Sequence, residues 1–169
     1  MIAAALAGVH VIAVGAGLSV DAPQDAAPVV VGLAFDARTY VLPGAFAGVE
    51  IGYGGALDTR NDAVLRASGK GQALATLGGR LDLVPTWQVA LAARAGVVRV
   101  DGWPRGTLPS LAAFGPLLGA QAALAWVFDA DPVHPVSLEL RLRYDGLRLD
   151  GAWVGDPGAA AWLVYGFGG

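Results

Sequence analysis

The sequence predicts an all-β fold, a closed antiparallel eight-stranded up-and-down transmembrane β-barrel with a polar lumen, with residues 1–169 forming one domain. Three observations lead there: a composition suited to lipid, hydrophobicity that alternates with period two, and connections that alternate between long and short. Apolar residues make up 55% of the chain and charged residues 15%, with a mean hydropathy of +0.55. Soluble domains carry about 25% charged residues, so this chain is short of groups that would wet an outer surface. Lys70 is the single lysine among 11 basic residues. The same composition excludes a disordered acidic chain. A net charge of −3 with scattered signs offers no basic patch for nucleic acid. Cysteine is absent, which excludes a disulfide framework, a thiolate metal site and a cysteine nucleophile.

Helices are the competing way to cross a bilayer. Residues 2–20 and 111–128 are long enough at 1.5 Å per residue to approach the ~30 Å hydrocarbon thickness. The first run contains Gly8, His10, Gly15 and Gly17, and the second contains Gly115, Pro116 and Gln121. No Lys or Arg follows either closely enough to set orientation. Residues 1–20 lack the basic start of a signal peptide, so Met1 is read as opening a mature chain.

Strands explain the pattern better. The first is residues 9–20. In residues 29–42, Val31, Leu33 and Phe35 oppose Asp36 and Arg38; in 48–53, Val49, Ile51 and Tyr53 oppose Glu50. In 74–84, Leu77, Leu81 and Leu83 oppose Thr76, Arg80 and Asp82; in 87–94, Val89 and Leu91 oppose Gln88 and Arg94. In 121–128, Leu124, Trp126 and Phe128 oppose Gln121. Residues 136–145 give the clearest case: Val136, Leu138, Leu140, Leu142 and Tyr144 interleave with Ser137, Glu139, Arg141, Arg143 and Asp145. Such alternation cannot form one apolar helix face, but it gives a strand one greasy side and one charged side. The eighth strand, 161–167, puts Leu163, Tyr165 and Phe167 together.

Long connections are read at 21–28, 58–72, 101–110 and 151–158, and tight turns at Pro43-Gly44 and Pro85-Thr86. The third short connection, 129–135, is stretched. Long loops at one end and short turns at the other suit an outer-membrane barrel, and proline at strand ends fits because it cannot donate to a ladder.

The chain thus resembles the small eight-stranded outer-membrane β-barrels of the OmpA/OmpX type over nearly its whole length. The terminal strand Ala161-Trp162-Leu163-Val164-Tyr165-Gly166-Phe167 is similar to the signal that such proteins present to the barrel-assembly machinery, except that Gly168-Gly169 follow the aromatic. The resemblance implies residence in the outer membrane of a Gram-negative bacterium. The partners expected are membrane lipid, the assembly machinery during folding, and an unidentified loop partner, with the barrel itself a monomer.

With both termini periplasmic, Tyr40, Phe46, Trp87, Trp126, Phe128, Tyr165 and Phe167 fall near one set of strand ends, and Tyr53, Trp103, Phe114, Tyr144 and Trp153 near the other. Amphipathic rings favour both bilayer interfaces, so two aromatic girdles are expected; Phe35 and Trp162 remain at mid-strand. The polar faces supply a lumen network of Asp36, Glu50, Asp82, Glu139 and Asp145 against Arg38, Arg80, Arg94, Arg141 and Arg143. Eight strands leave room for little but side chains, and bidentate arginine–carboxylate pairs would plug that space. A narrow charged pore is the alternative. Strand glycines such as Gly52, Gly54, Gly78, Gly79 and Gly96 permit coiling and make room inside.

Catalytic signals are thin. Gly15-Ala16-Gly17 precedes no Gly-Lys-Ser, and no helix pattern starts there. His10 and His134 are the only histidines available to a lipid A-modifying enzyme, and neither has a serine–acid arrangement around it. No catalytic, cofactor or metal residue is assigned. A soluble lipocalin-like carrier with the apolar rows turned inward would fit the length, but the first and sixth strands lack a polar face for water. The expected role is anchoring and display of the loops, where binding usually resides. The 58–72 loop carries Asp58, Arg60, Asp62, Arg66 and Lys70, and reads either as a partner contact or as a solvated hairpin tip.

Overall fold

A computed structural model describes residues 12–22, 29–42, 44–56, 69–101, 104–105, 108–109, 112–129 and 133–167. Its strands are β1 (Ile12–Asp21), β2 (Val30–Leu42), β3 (Ala45–Ala56), β4 (Gly69–Val84), β5 (Trp87–Asp101), β6 (Pro104–Arg105), β7 (Leu108–Pro109), β8 (Ala112–Asp129), β9 (Val136–Leu149) and β10 (Ala152–Phe167). β1 pairs antiparallel with both β2 and β10, so β1-β10-β9-β8-β5-β4-β3-β2 closes into an eight-stranded barrel. Each stave neighbours the next in sequence. The two-residue strands β6 and β7 form a separate hairpin between β5 and β8.

Closure leaves no edge strand unpaired, which hydrocarbon demands because it cannot satisfy a free N–H or C=O. Alternation follows the sequence pattern: β9 places Glu139, Arg141, Arg143 and Asp145 inside while Leu138, Leu140, Leu142 and Tyr144 are exposed outside. The inside-out carrier is therefore excluded, since its guanidinium groups would face solvent. Register shifts at Tyr40/Leu42, Asp82/Val84 and Val127/Asp129 all lie at the end of the barrel where Ile12 pairs with Phe167. Bulges there add the local twist that a narrow barrel needs.

Several strands outrun their expected bounds. The sixth stave starts at Ala112 rather than residue 121, and the eighth at Ala152 rather than 161. Of the stretch 151–158, residues 152–158 are accordingly strand and not loop. Its connection to β9 is the two-residue turn Asp150-Gly151, with φ of 51° and 87°. Two positive φ values in succession define a type I′ hairpin, for which Asp-Gly is a preferred pair. Pro116 and Pro157 sit inside strands at places where the ladder asks little of them. Pro116 lies just above the last β8–β9 pair, Leu117↔Leu147, and Pro157 just above the last β1–β10 pair, Gly158↔Asp21.

Candidate functional site

The barrel interior is both the core and the one dense cluster of functional groups among the described residues. Its middle is an ion-paired ring across β2 and β9. Arg38 donates from Nε to Asp36 Oδ2 at 2.8 Å and bidentately to Glu139, from Nη2 to Oε2 at 2.7 Å and from Nη1 to Oε1 at 3.2 Å. Arg141 donates from Nε to the same Glu139 Oε2 at 2.9 Å, and its Nη2 lies 2.8 Å from Asp36 Oδ2. Trp162 lies inside, its ring centroid 3.8 Å from the Arg141 guanidinium carbon, so a mid-strand aromatic serves as a cation–π floor. Gly17 opposes it, and a Cβ there would stand 2.5 Å from Trp162 Cδ2. Glycine is needed at that position because the indole occupies the space.

A second tier centres on Glu50. Arg94 Nη2 donates to Glu50 Oε1 at 3.1 Å, Gln72 Nε2 donates to the same oxygen at 2.9 Å, and Arg143 Nη1 approaches it at 3.5 Å. Arg94 Nη1 also lies 3.0 Å from Asp145 Oδ2. Above it, Arg143 donates to Asp21 through Nε at 2.9 Å, and Lys70 bridges Asp156 and Asp21, the latter at 3.2 Å. Arg94, Asp145 and Asp156 have side chains with no solvent exposure. Removing one partner from such a pair costs about 3–5 kcal/mol because the other charge is left buried and alone.

This membership differs from the expected one. Asp36, Arg38, Glu50, Arg94, Glu139, Arg141, Arg143 and Asp145 all point inward and are buried. Arg80 and Asp82 do not join them: their pair is 3.7 Å long at the barrel mouth, with side-chain exposures of 25% and 57%. Asp21, Lys70 and Asp156 take their place, all three read from the sequence as loop residues. Lys70 in particular is no partner-contact residue, being enclosed by two carboxylates inside the barrel. The expected balance of five against five thus becomes six buried acids (Asp21, Asp36, Glu50, Glu139, Asp145, Asp156) against five buried bases (Arg38, Lys70, Arg94, Arg141, Arg143) among the described residues. The signal for the missed three was parity, since each continues the inward rows set by Ser19, Gln72 and Gly158. Asp58, Arg60, Asp62, Arg66, Trp103 and His10 lie outside the described residues.

Apolar residues pack beside the charges at both ends. Toward the long-loop end, Leu74, Val98, Val100, Ala113, Leu117, Leu147 and Leu149 form one buried cluster. Toward the other end, Phe46 is buried with its ring 5.3 Å from the Arg38 guanidinium carbon, and half-buried Tyr40 packs 5.8 Å from Phe46 and 4.6 Å from Arg80. Neither ring belongs to a girdle. Phe46 shares the parity of Glu50 and Tyr40 that of Arg38, so both turn inward despite lying near strand ends. Trp87, Trp126, Phe128, Tyr165 and Phe167 are exposed at the terminal end, and Tyr53, Phe114, Tyr144 and Trp153 toward the loop end. His134 stacks on Tyr165 at 5.7 Å in the terminal-end group. Of the glycines expected to make room inside, Gly52, Gly54, Gly78 and Gly96 do face inward, whereas Gly79 faces outward. Among the described residues, no three His, Cys, Asp or Glu side chains are grouped to hold a metal ion.

A closed barrel with an apolar outer belt between aromatic ends and an ion-paired interior is a transmembrane β-barrel of the outer-membrane type. Solved structures share the fold. Neisserial surface protein A matches at 13% identity and a TM-score of 0.65, covering 93% of this chain and 97% of that one. Ail, the attachment invasion locus protein of Yersinia pestis, matches at 13% identity and 0.57, covering 95% and 99%. The N-terminal β-barrel domain of OprF from Pseudomonas aeruginosa matches at 10% identity and 0.51, covering 90% and 96%. No family model and no curated sequence matches the chain. Fold and lipid-facing belt are those of bacterial outer-membrane barrels, in which the longer loops face the cell exterior and the short turns the periplasm.

Proposed function

We propose that the protein is a plugged anchoring barrel: it sits in the outer membrane, presents its extracellular loops for interaction, and conducts no ions through its centre. The observation that carries this reading is the filled interior. Charged side chains from β1, β2, β3, β4, β5, β9 and β10 meet across the lumen, and an apolar cluster from β4, β5, β8 and β9 fills the space beside them toward the loop end. An ion would have to break buried pairs on its way through, opposed by the cost of leaving desolvated charge behind. The eight-stranded diameter leaves no second route. No catalytic role is assigned, and His134 is engaged with neighbouring rings. Interaction is assigned to the extracellular connections because a rigid barrel holds them at the surface while its own interior is occupied.

Planar-bilayer recording of the refolded chain tests the plug. The expected trace is a closed baseline, and steady nanosiemens-scale openings would overturn it. An Arg94→Ala variant should admit brief openings at most, because the pairs among Asp36, Arg38, Glu139 and Arg141 and those of Lys70 with Asp21 and Asp156 stay in place.

A further inference from the structure

The outward face of the barrel strands is almost free of charge, and its two cations are not scattered. Among the described residues whose side chains leave the barrel wall, Arg99 on β5 and Arg148 on β9 are the arginines, and both stand at the extracellular end. They flank the same stave: Arg99 is the register partner of Phe114 on β8, while Arg148 follows Leu147, whose β8 partner is Leu117. Trp153, the register partner of Arg148, continues the band onto β10. Two strand spacings separate the arginines laterally, roughly 10 Å. Below them the wall is Val97, Leu118 and Leu142, all exposed apolar residues in the lipid belt.

Depth and chemistry suggest what the band meets. An outward arginine costs about 2–4 kcal/mol at the bilayer midplane and close to nothing at the interface, so these two mark the interface. Arg99 is held in place, its Nε donating to Asp101 Oδ1 at 2.7 Å and its guanidinium carbon 5.4 Å from the Phe114 ring centroid. The acids of the band, Asp101 and Asp150, each follow an arginine by two residues, Asp150 in the β9–β10 turn. Arg99 and Asp101 pair at one depth, and Arg148 stands exposed on the outer wall two staves away. A guanidinium fork at that depth matches a phosphate group in geometry and charge.

We propose that Arg99 and Arg148, with Phe114 and Trp153 between and beside them, form a binding surface for the phosphorylated headgroup of an outer-leaflet glycolipid. This rests on the barrel spanning an outer membrane. The surface recognises phosphate on an anchored lipid rather than phosphate in solution, because the aromatic and apolar residues below the arginines require acyl chains beside them.

The test uses the full chain folded in neutral detergent micelles and titrated with bisphosphorylated lipid A, dephosphorylated lipid A or inorganic phosphate, with tryptophan fluorescence and native mass spectrometry as readouts. Heat-modifiable gel mobility is checked first for every variant, so loss of the barrel is distinguished from loss of the site. The bisphosphorylated lipid should bind at least about tenfold more tightly than the dephosphorylated one, the scale of one charge-assisted contact. Inorganic phosphate should not bind. The Arg99→Gln/Arg148→Gln double variant should remain folded and lose that preference, while Arg99→Lys/Arg148→Lys should keep most of it. Equal affinity for the two lipids in the parent chain, or an undiminished preference in the folded Gln double variant, would overturn the proposal. Binding of inorganic phosphate as tight as that of the lipid would do so too. If the double variant does not fold, the Arg148→Gln single variant answers the same question with a smaller loss, because Arg148 is exposed on the outer wall.

Discussion

Arg141 and Leu140 are adjacent in sequence and meet opposite environments. Leu140 is exposed on the belt between Leu124 and Ala161, while Arg141 touches Asp36 and Glu139 and lies over Trp162. Leu140→Arg should cost about 2–4 kcal/mol by placing a guanidinium in hydrocarbon. Arg141→Leu should cost about 3–5 kcal/mol by stranding two buried carboxylates. Urea unfolding in lipid vesicles separates the mechanisms. Adding Glu139→Gln should recover part of the Arg141→Leu loss but none of the Leu140→Arg loss, since only the first pair shares a network. Additive behaviour in both pairs would refute the assigned facing. Parity made these residues readable without coordinates. It also held for Asp21, Lys70 and Asp156, yet polarity in a Gly-rich neighbourhood suggested loop there. Phe46 and Tyr40 show the converse: nearness to a strand end suggests a girdle, but the side of the strand they occupy turns them inward.

At the scale of elements, strands with a charged face were legible and strands without one were not. β9 and β2 alternate plainly because arginines and carboxylates mark the inside. β8 is lined internally by Ala113, Leu117, Ala123, Ala125 and Val127, so its two faces differ little in polarity and its first half could not be separated from an apolar helix. The first half of β10 carries Gly155, Pro157 and Gly158, ordinary loop markers, which here lie at and beyond the last pair with β1. The Asp150-Gly151 pair was the local signal for a tight hairpin. Its geometry is open to test: Gly151→Ala should destabilise by about 1 kcal/mol, since a Cβ at φ 87° is strained. Gly55→Ala, where a Cβ would meet nothing within 4 Å, should be neutral or mildly stabilising in the same unfolding assay. Equal effects at the two positions would contradict the type I′ turn.

For the whole molecule, the decisive arrangement is an oily exterior around a charged and closed interior. Composition suggested lipid, and alternation selected strands over helices; neither specified how the lumen is packed. The contacts between Arg38 and Glu139, 101 residues apart, and between Lys70 and Asp156, 86 apart, arise from closure of the barrel and leave no local trace. Native absence of cysteine makes the arrangement directly measurable. Single cysteines placed in turn from residue 136 to 145, spin-labelled in lipid vesicles, report access to oxygen dissolved in hydrocarbon. Accessibility should rise at 138, 140, 142 and 144 and fall at 139, 141, 143 and 145, whereas a smooth profile or the reversed phase would contradict a barrel that turns its leucines to lipid and its arginines inward.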